Sequence, residues 1–477
     1  MKTKETLLLL GTTLICTLLF YKQSWGLNVP AFALLIVAAQ ALYKPELRYN
    51  RSWLWACFVT IVSALAYYFT NNEGAATLFV FSIIFSSGLQ MKDSLLAFLP
   101  LHAFLNFFIA PVSLLTEWIS YTFNSEKKNI SLRLFIVPGL IFTVFIIVYA
   151  NANTMLWEQL SAIFSFVDAT FAMCFILSFL IVLPIIRGRL VDWLSFIENT
   201  FEKAIGFVSE PKQSDDQEKI NRLMKEAMIV FCGLIALLTY LILLDGYELI
   251  YGATIASLSD NLHSSIYILI ASMFMAIGVI LYYFSLPVIF HSNFDRVKWA
   301  VNVWITLNII LCIICLIKNN MYVNELGLTY KRIGVYTYLL TTVFALLITA
   351  YKTNASLNNW ILIKANTWMG YGVMMIFICV PWDIVITRYN MNYTKEPDIA
   401  YIKSLSTQAQ LEYITITLEK DNSTEQKNLI QEEIKNMNYY RFQYLKAKKF
   451  LSLTAEDRRM VKQYDELGKK YNLVTTF

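Results

Sequence analysis

The sequence predicts an all-α integral membrane bundle of 11–12 transmembrane helices with a small helical C-terminal soluble segment, on three observations. The 477-residue chain is 57% hydrophobic and only 15% charged, too apolar for a water-soluble protein of this length. Uninterrupted apolar runs approach the roughly 20 residues that a helix needs to cross a bilayer, and they recur along most of the chain. After residue 388 the composition changes to a polar segment with nearly balanced acids and bases. These shifts divide the chain into a multi-pass domain over 1–388 and a helical tail over 389–477.

Met1–Gly26 has the basic start and apolar middle of a secretory signal, but no small-x-small cleavage pattern follows, and Ile15 before Cys16 does not suit lipoprotein cleavage. It is expected to stay as an uncleaved first span over 5–21. Further spans are expected at 28–43, 52–70, 76–90, 133–150, 169–186, 226–245, 264–286, 299–317, 333–351 and 365–385, which makes eleven. The stretch 93–120 is apolar as well. Pro100 and Pro111 interrupt it and His102, Asn106 and Glu117 interleave it, so it is either a kinked twelfth span or an interfacial helix.

Basic residues set the expected orientation. Lys and Arg cluster in 44–51, 124–133 and 187–225, whereas 151–168 and 246–263 contain neither. The positive-inside bias puts the first group in the cytoplasm and the second outside, with 93–120 not crossing, the N-terminus inside and the tail outside. Within 187–225, Leu190, Trp193, Leu194, Ile197, Phe201 and Ile205 recur at helical spacing. That pattern describes an amphipathic helix lying on the cytoplasmic leaflet, or a docking site for a protein partner.

Several chemistries are excluded by supply. All seven cysteines fall within expected spans, which argues against a disulfide framework. Cys312 and Cys315 have the spacing of a metal or redox pair, but they sit in an apolar helix without a charged neighbour and read as small buried hydrophobes. Three histidines, widely separated, cannot build a histidine-rich metal site. There is no phosphate-binding glycine loop, dinucleotide fingerprint, zinc-protease motif or nucleophile elbow. No catalytic residue, cofactor or nucleic-acid partner is assigned.

One polar constellation is left. In the expected topology Asp245, Glu248, Asp260, His263, Arg332 and Asp383 lie at the ends of spans on one side of the membrane. A charge near the bilayer is costly unless paired, so Arg332 is expected to meet Asp245, Asp260 or Asp383. The group then either binds a ligand or relays protons through His263, or it consists of ion pairs and helix caps that lock spans together. Ser259 or Asp260 is placed to cap the span beginning near His263.

Four stretches carry a resemblance: Asn261–Ile270 (NLHSSIYILI), Asn324–Tyr336 (NELGLTYKRIGVY), Ile384–Asn390 (IVITRYN) and Asp398–Ser406 (DIAYIKSLS). Over roughly 225–410 the chain resembles a family of bacterial polytopic membrane proteins catalogued only as a domain of unknown function. The G-L-T-x-x-R element, here Gly327–Arg332, is the most specific, and Ser264 stands where family members often have glycine. The resemblance implies a multi-pass protein of the bacterial inner membrane with a polar C-terminal segment, and no established activity. In the tail, helices are expected at Thr407–Leu418, Glu425–Lys449 and Thr454–Tyr471, with Thr454–Asp457 matching a capping box. Two function classes follow. One is a non-enzymatic sensor, scaffold or regulator in contact with the bilayer and with a protein partner at the tail or at 187–225. The other is a small-solute or proton-coupled transporter.

Overall fold

A computed structural model of the chain describes residues 3–91, 99–124, 169–188, 195–196, 217–251, 294–355, 357, 359–420 and 445–471. Every regular element among them is helical. The expected spans 133–150 and 264–286, most of the amphipathic stretch 187–225, the middle helix of the tail, Asp260 and His263 lie outside the described residues. The other nine expected spans all fall on helices. Five helices are long and apolar enough to cross a membrane: Arg51–Thr70, Met224–Tyr251, Phe294–Leu326, Tyr330–Asn354 and Ile361–Ile378. Asn28–Tyr43, Glu73–Leu89, Leu101–Leu114 and Thr170–Ile186 are apolar but shorter. Contacts divide the chain into two units, 1–195 with 447–456, and 196–446 with 457–477.

The first unit opens with α1 (Thr3–Phe20), α2 (Asn28–Tyr43), α3 (Arg51–Thr70) and α4 (Glu73–Leu89). Threonines survive in apolar α1 because Thr12, Thr13 and Thr17 return their hydroxyls to carbonyls four residues back. The α3–α4 connection is Asn71-Asn72. Asn71 adopts the left-handed conformation at φ 47°, and the Asn72 side chain accepts from Gly74 N to cap α4. α5 (Leu99–Asn124) and α6 (Ala169–Ile186) pack on this framework, α5 against α4 and α6, and α6 also against α1 and α2. Pro111 lies within α5, and His102 and Asn106 on the same helix are fully buried.

The core joins Val29, Phe32, Ala33, Ile36 and Ala39 of α2 to Val182, Leu183, Ile185 and Ile186 of α6. Small residues on α2 allow that close approach. The last carbonyls of α6 are buried and would be orphaned without side-chain donors. Ser87 donates to Pro184 O, and Gln90 (2.7 Å) and Gln40 (3.4 Å) donate to Ile185 O. The indole of Trp53 holds the Gln40 carbonyl in turn. Outward faces carry Leu7, Leu18, Leu34, Phe108 and Ile176, all more than half exposed, as expected of surfaces that meet hydrocarbon.

A tail segment closes this unit. Ser452 Oγ donates to Gln23 Oε1 and accepts from Ser24 N. Gly26 lies so close beneath it that a Cβ there would stand 2.4 Å from the Ser452 carbonyl carbon.

The second unit contains α7 (Gln217–Tyr251), α8 (Phe294–Leu326), α9 (Tyr330–Asn354) and α10 (Asn359–Ile378), then α11 (Trp382–Tyr393), α12 (Ile399–Ser404), α13 (Thr407–Lys420) and α14 (Ala455–Tyr471). Phe231 meets Trp304, and Asp245 meets Lys318 at the same sequence offset of 73 residues. Helices α7 and α8 therefore run parallel, with both C-terminal ends on one face. The sequence expects the last span to run to 385. Instead α10 stops at Ile378, and Pro381 starts the separate helix α11, because proline cannot continue the backbone ladder. Leu411, Ile414 and Leu418 of α13 pack with Leu445, Met460, Tyr464 and Leu467 into a small core of their own.

Candidate functional site

The polar end of the second unit is built around the turn between α8 and α9. Gly327 ends α8 in the left-handed region, φ +81°, with its N–H on Val323 O at 2.9 Å. A Cβ at this position would lie 2.6 Å from Asn390 Oδ1. Asn390 of α11 grips the next residue at both main-chain groups, accepting from Leu328 N at 2.6 Å and donating to Leu328 O at 2.9 Å. Thr329 then caps α9 by accepting from Arg332 N at 3.4 Å. Leu328, Val323, Ile333 and Ile386 fill the space beneath the turn.

Arg332 is placed differently from the sequence expectation. Its Nη1 donates to Leu326 O at 2.9 Å and to Gly327 O, and its guanidinium sits 4.2 Å from the centre of the Tyr322 ring. It meets none of Asp245, Asp383 or another described acid. The physical reason is local: the last carbonyls of α8 lack partners and carry the negative end of the helix dipole, and α9 begins within reach. Every fixed residue of the G-L-T-x-x-R element thus has a task in the turn: the glycine bends it, the leucine fills the core, the threonine starts one helix and the arginine closes the other.

The other predicted residues disperse. Asp245 pairs with Lys318 at 2.8 Å; their side chains are 17% and 4% exposed, so most of the pair is out of water. Asp383 accepts from the Tyr330 hydroxyl at 2.7 Å and from Ser406 N at 3.3 Å, which ties α9 to the α12–α13 connection. Glu248 lies in α7 with its side chain outside the described residues, and Asp260 and His263 are outside them altogether. The structure therefore places Arg332 and Asp383 at one end, without direct contact, and Asp245 in a pair further along α8. Cys312 and Cys315 are free, buried thiols packed with Leu311, Val335 and Leu339.

Beside the turn opens a cleft of about 490 Å³, walled by α8, the start of α9 and α12. Asn319, Tyr322, Tyr330, Lys331, Arg332 and Tyr401 supply its polar lining. The Tyr401 hydroxyl accepts from Tyr330 N at 3.0 Å, and Asp398 caps α12 through Tyr401 N. Sequence reasoning missed Lys318, Asn319 and the tyrosines as site residues. The polar triplet Lys318-Asn319-Asn320, directly after Cys315-Leu-Ile317, was the signal available.

No curated protein and no solved structure matches the chain. A family model does match, described as a domain of unknown function (DUF4153), over residues 7–416. The match reaches well beyond 225–410 and takes in the helices of the first unit as well as the Gly327–Arg332 turn. Covering most of the chain, it makes this protein a member of the DUF4153 family.

Proposed function

We propose that the protein is a non-enzymatic component of the bacterial inner membrane, a sensor, scaffold or regulator whose polar end in the second unit is a preformed recognition surface. The observation that carries this is the fixing of charge at that end: Arg332 on carbonyls, Asp383 between Tyr330 and Ser406, and Arg388 on Glu412 at 2.6 Å. Groups held this way shape a surface but are poorly placed to cycle through a transport or proton-relay step. Partner contacts are assigned to the tail and to 187–225, with the N-terminus inside and the tail outside.

A small-solute or proton-coupled transporter is the second reading, favoured by the Lys318–Asp245 pair between two helices long enough to span. Purified protein in liposomes loaded with a pH-sensitive dye separates the two. A sensor or scaffold gives the proton flux of protein-free liposomes, with or without added amino acids, sugars and organic anions. Solute-dependent flux that disappears in Asp245→Asn would replace it with the transporter. Orientation is read from single cysteines at Asn320 and Lys403 in a cysteine-free background. Both are exposed and belong to the polar end, so an impermeant thiol reagent applied to intact cells should label both. Labelling of neither would put this end in the cytoplasm.

A further inference from the structure

We propose that the first unit holds one acyl chain of a membrane phospholipid in a groove between α1, α2, α4, α5 and α6. The groove has a volume of about 590 Å³, and Val29, Phe32, Phe79, Ile83 and Ile185, all buried, form its floor. Its rim is made by Trp25, Val80, Phe104, Phe108, Leu177 and Ile181, each more than a third exposed. Apart from the Trp25 indole, the Cys16 and Cys174 thiols and the Ser178 hydroxyl, every described side chain of the lining is hydrocarbon.

Three observations select the occupant. The rim residues belong to the outward faces that meet the bilayer, Phe108 among them, so the groove opens sideways onto lipid. Its length fits one leaflet. On α6 it follows Cys174, Leu177, Ser178, Ile181 and Ile185, the spacing of a single helix face. At about 1.5 Å per residue this stripe is about 16 Å long, close to half of a hydrocarbon core about 30 Å thick. One end is marked by Trp25 in the α1–α2 loop, whose ring meets those of Tyr67 at 5.8 Å and Phe79 at 6.4 Å. Tryptophan, apolar with one polar edge, suits the level of the lipid headgroups, so the chain enters from the leaflet on the α1–α2 loop side.

The third observation is the bulk of the rim. Helices that pair within a bilayer meet through small residues that let their backbones approach. Phe104, Phe108, Leu177 and Ile181 instead hold a partner helix away and leave a slot for a thin, flexible chain. Water finds no hydrogen-bond partners along such a floor, and an empty groove would forfeit the contacts that its walls can make. Because bilayer hydrocarbon is as apolar as the groove, retention depends on packing and hence on chain length rather than on the headgroup.

Binding does not rest on the sensor or scaffold role, and proton flux in liposomes reads that role separately. The full chain, exchanged into a non-ionic detergent with dipalmitoyl or dioctanoyl phosphatidylcholine, is examined by native mass spectrometry. One dipalmitoyl lipid should stay on each chain. The dioctanoyl lipid, too short to reach the Ile185 end, should be retained about tenfold less. Val80→Trp and Ile181→Trp, which fill the groove from exposed rim positions, should lower dipalmitoyl retention about tenfold as well. Leu34→Trp and Ile176→Trp, exposed on the same helix bundle but outside the groove, should leave it unchanged. The proposal is overturned if no lipid is retained, if both chain lengths are retained equally, or if the groove and control variants behave alike. It is also overturned if the unaltered protein carries a second copy of itself that the groove variants release. The comparison of chain lengths uses the unaltered protein, so the test survives a variant that fails to fold.

Discussion

Gly327 shows how much one residue fixes at the polar end. A side chain there meets two penalties, the left-handed backbone and the amide of Asn390 at 2.6 Å. Gly327→Ala should therefore lose about 2–3 kcal/mol, read as a lower melting temperature in detergent. Because the second penalty acts through Asn390, combining it with Asn390→Ala should cost less than the sum of the two single changes. Arg332 teaches a related lesson. The sequence made it legible as a charge near the membrane in need of a partner, and it has one. The partner was not legible, because the carbonyls that end a helix can accept a guanidinium's N–H groups at the negative end of the helix dipole and leave no mark in composition.

At the scale of elements, the Lys318–Asp245 pair locks two parallel helices at one register. Lys318→Met would leave the half-buried Asp245 without a counter-charge, and about 2–3 kcal/mol of stability should be lost, less than for a fully buried ion because part of the carboxylate still meets solvent. The double change Lys318→Met with Asp245→Leu should recover most of it, measured by the folded fraction after heating. Full loss in the double variant would show that the ionic pair itself, and not its neutralisation, is needed. Thr329→Ala, which removes the cap of α9, should cost about 1 kcal/mol in the same assay. Apolar run length made the helices legible, and nine of the eleven expected spans coincide with helices. The pairing was not legible, since Asp245 and Lys318 become neighbours only through a helix-to-helix register that no local period records. The end of α10 was hidden for a related reason. Hydropathy continues past Ile378 into Ile384 and Val385, and only Pro381 marked the break.

At the scale of the whole molecule, the family match over 7–416 ends before the segment 447–456, which nevertheless completes the first unit. Gly26→Val would drive a side chain into the backbone of Ser452 and should release that segment, seen as faster proteolysis between 445 and 457 with the spans intact. Ser452→Ala, which removes two hydrogen bonds without a clash, should show a smaller effect of the same sign. The contact between Ser24 and Ser452 joins positions 428 residues apart, so its partners leave the ribosome at very different times. At a synthesis rate of about 5–20 residues per second the α1–α2 loop waits roughly 20–90 s for its cover. During that interval α1 and α2 are already synthesised and the loop between them is without Ser452. A nascent chain therefore passes through a stage with its membrane part nearly complete and this one loop open, and any factor that recognises the bare loop would distinguish unfinished chains from finished ones.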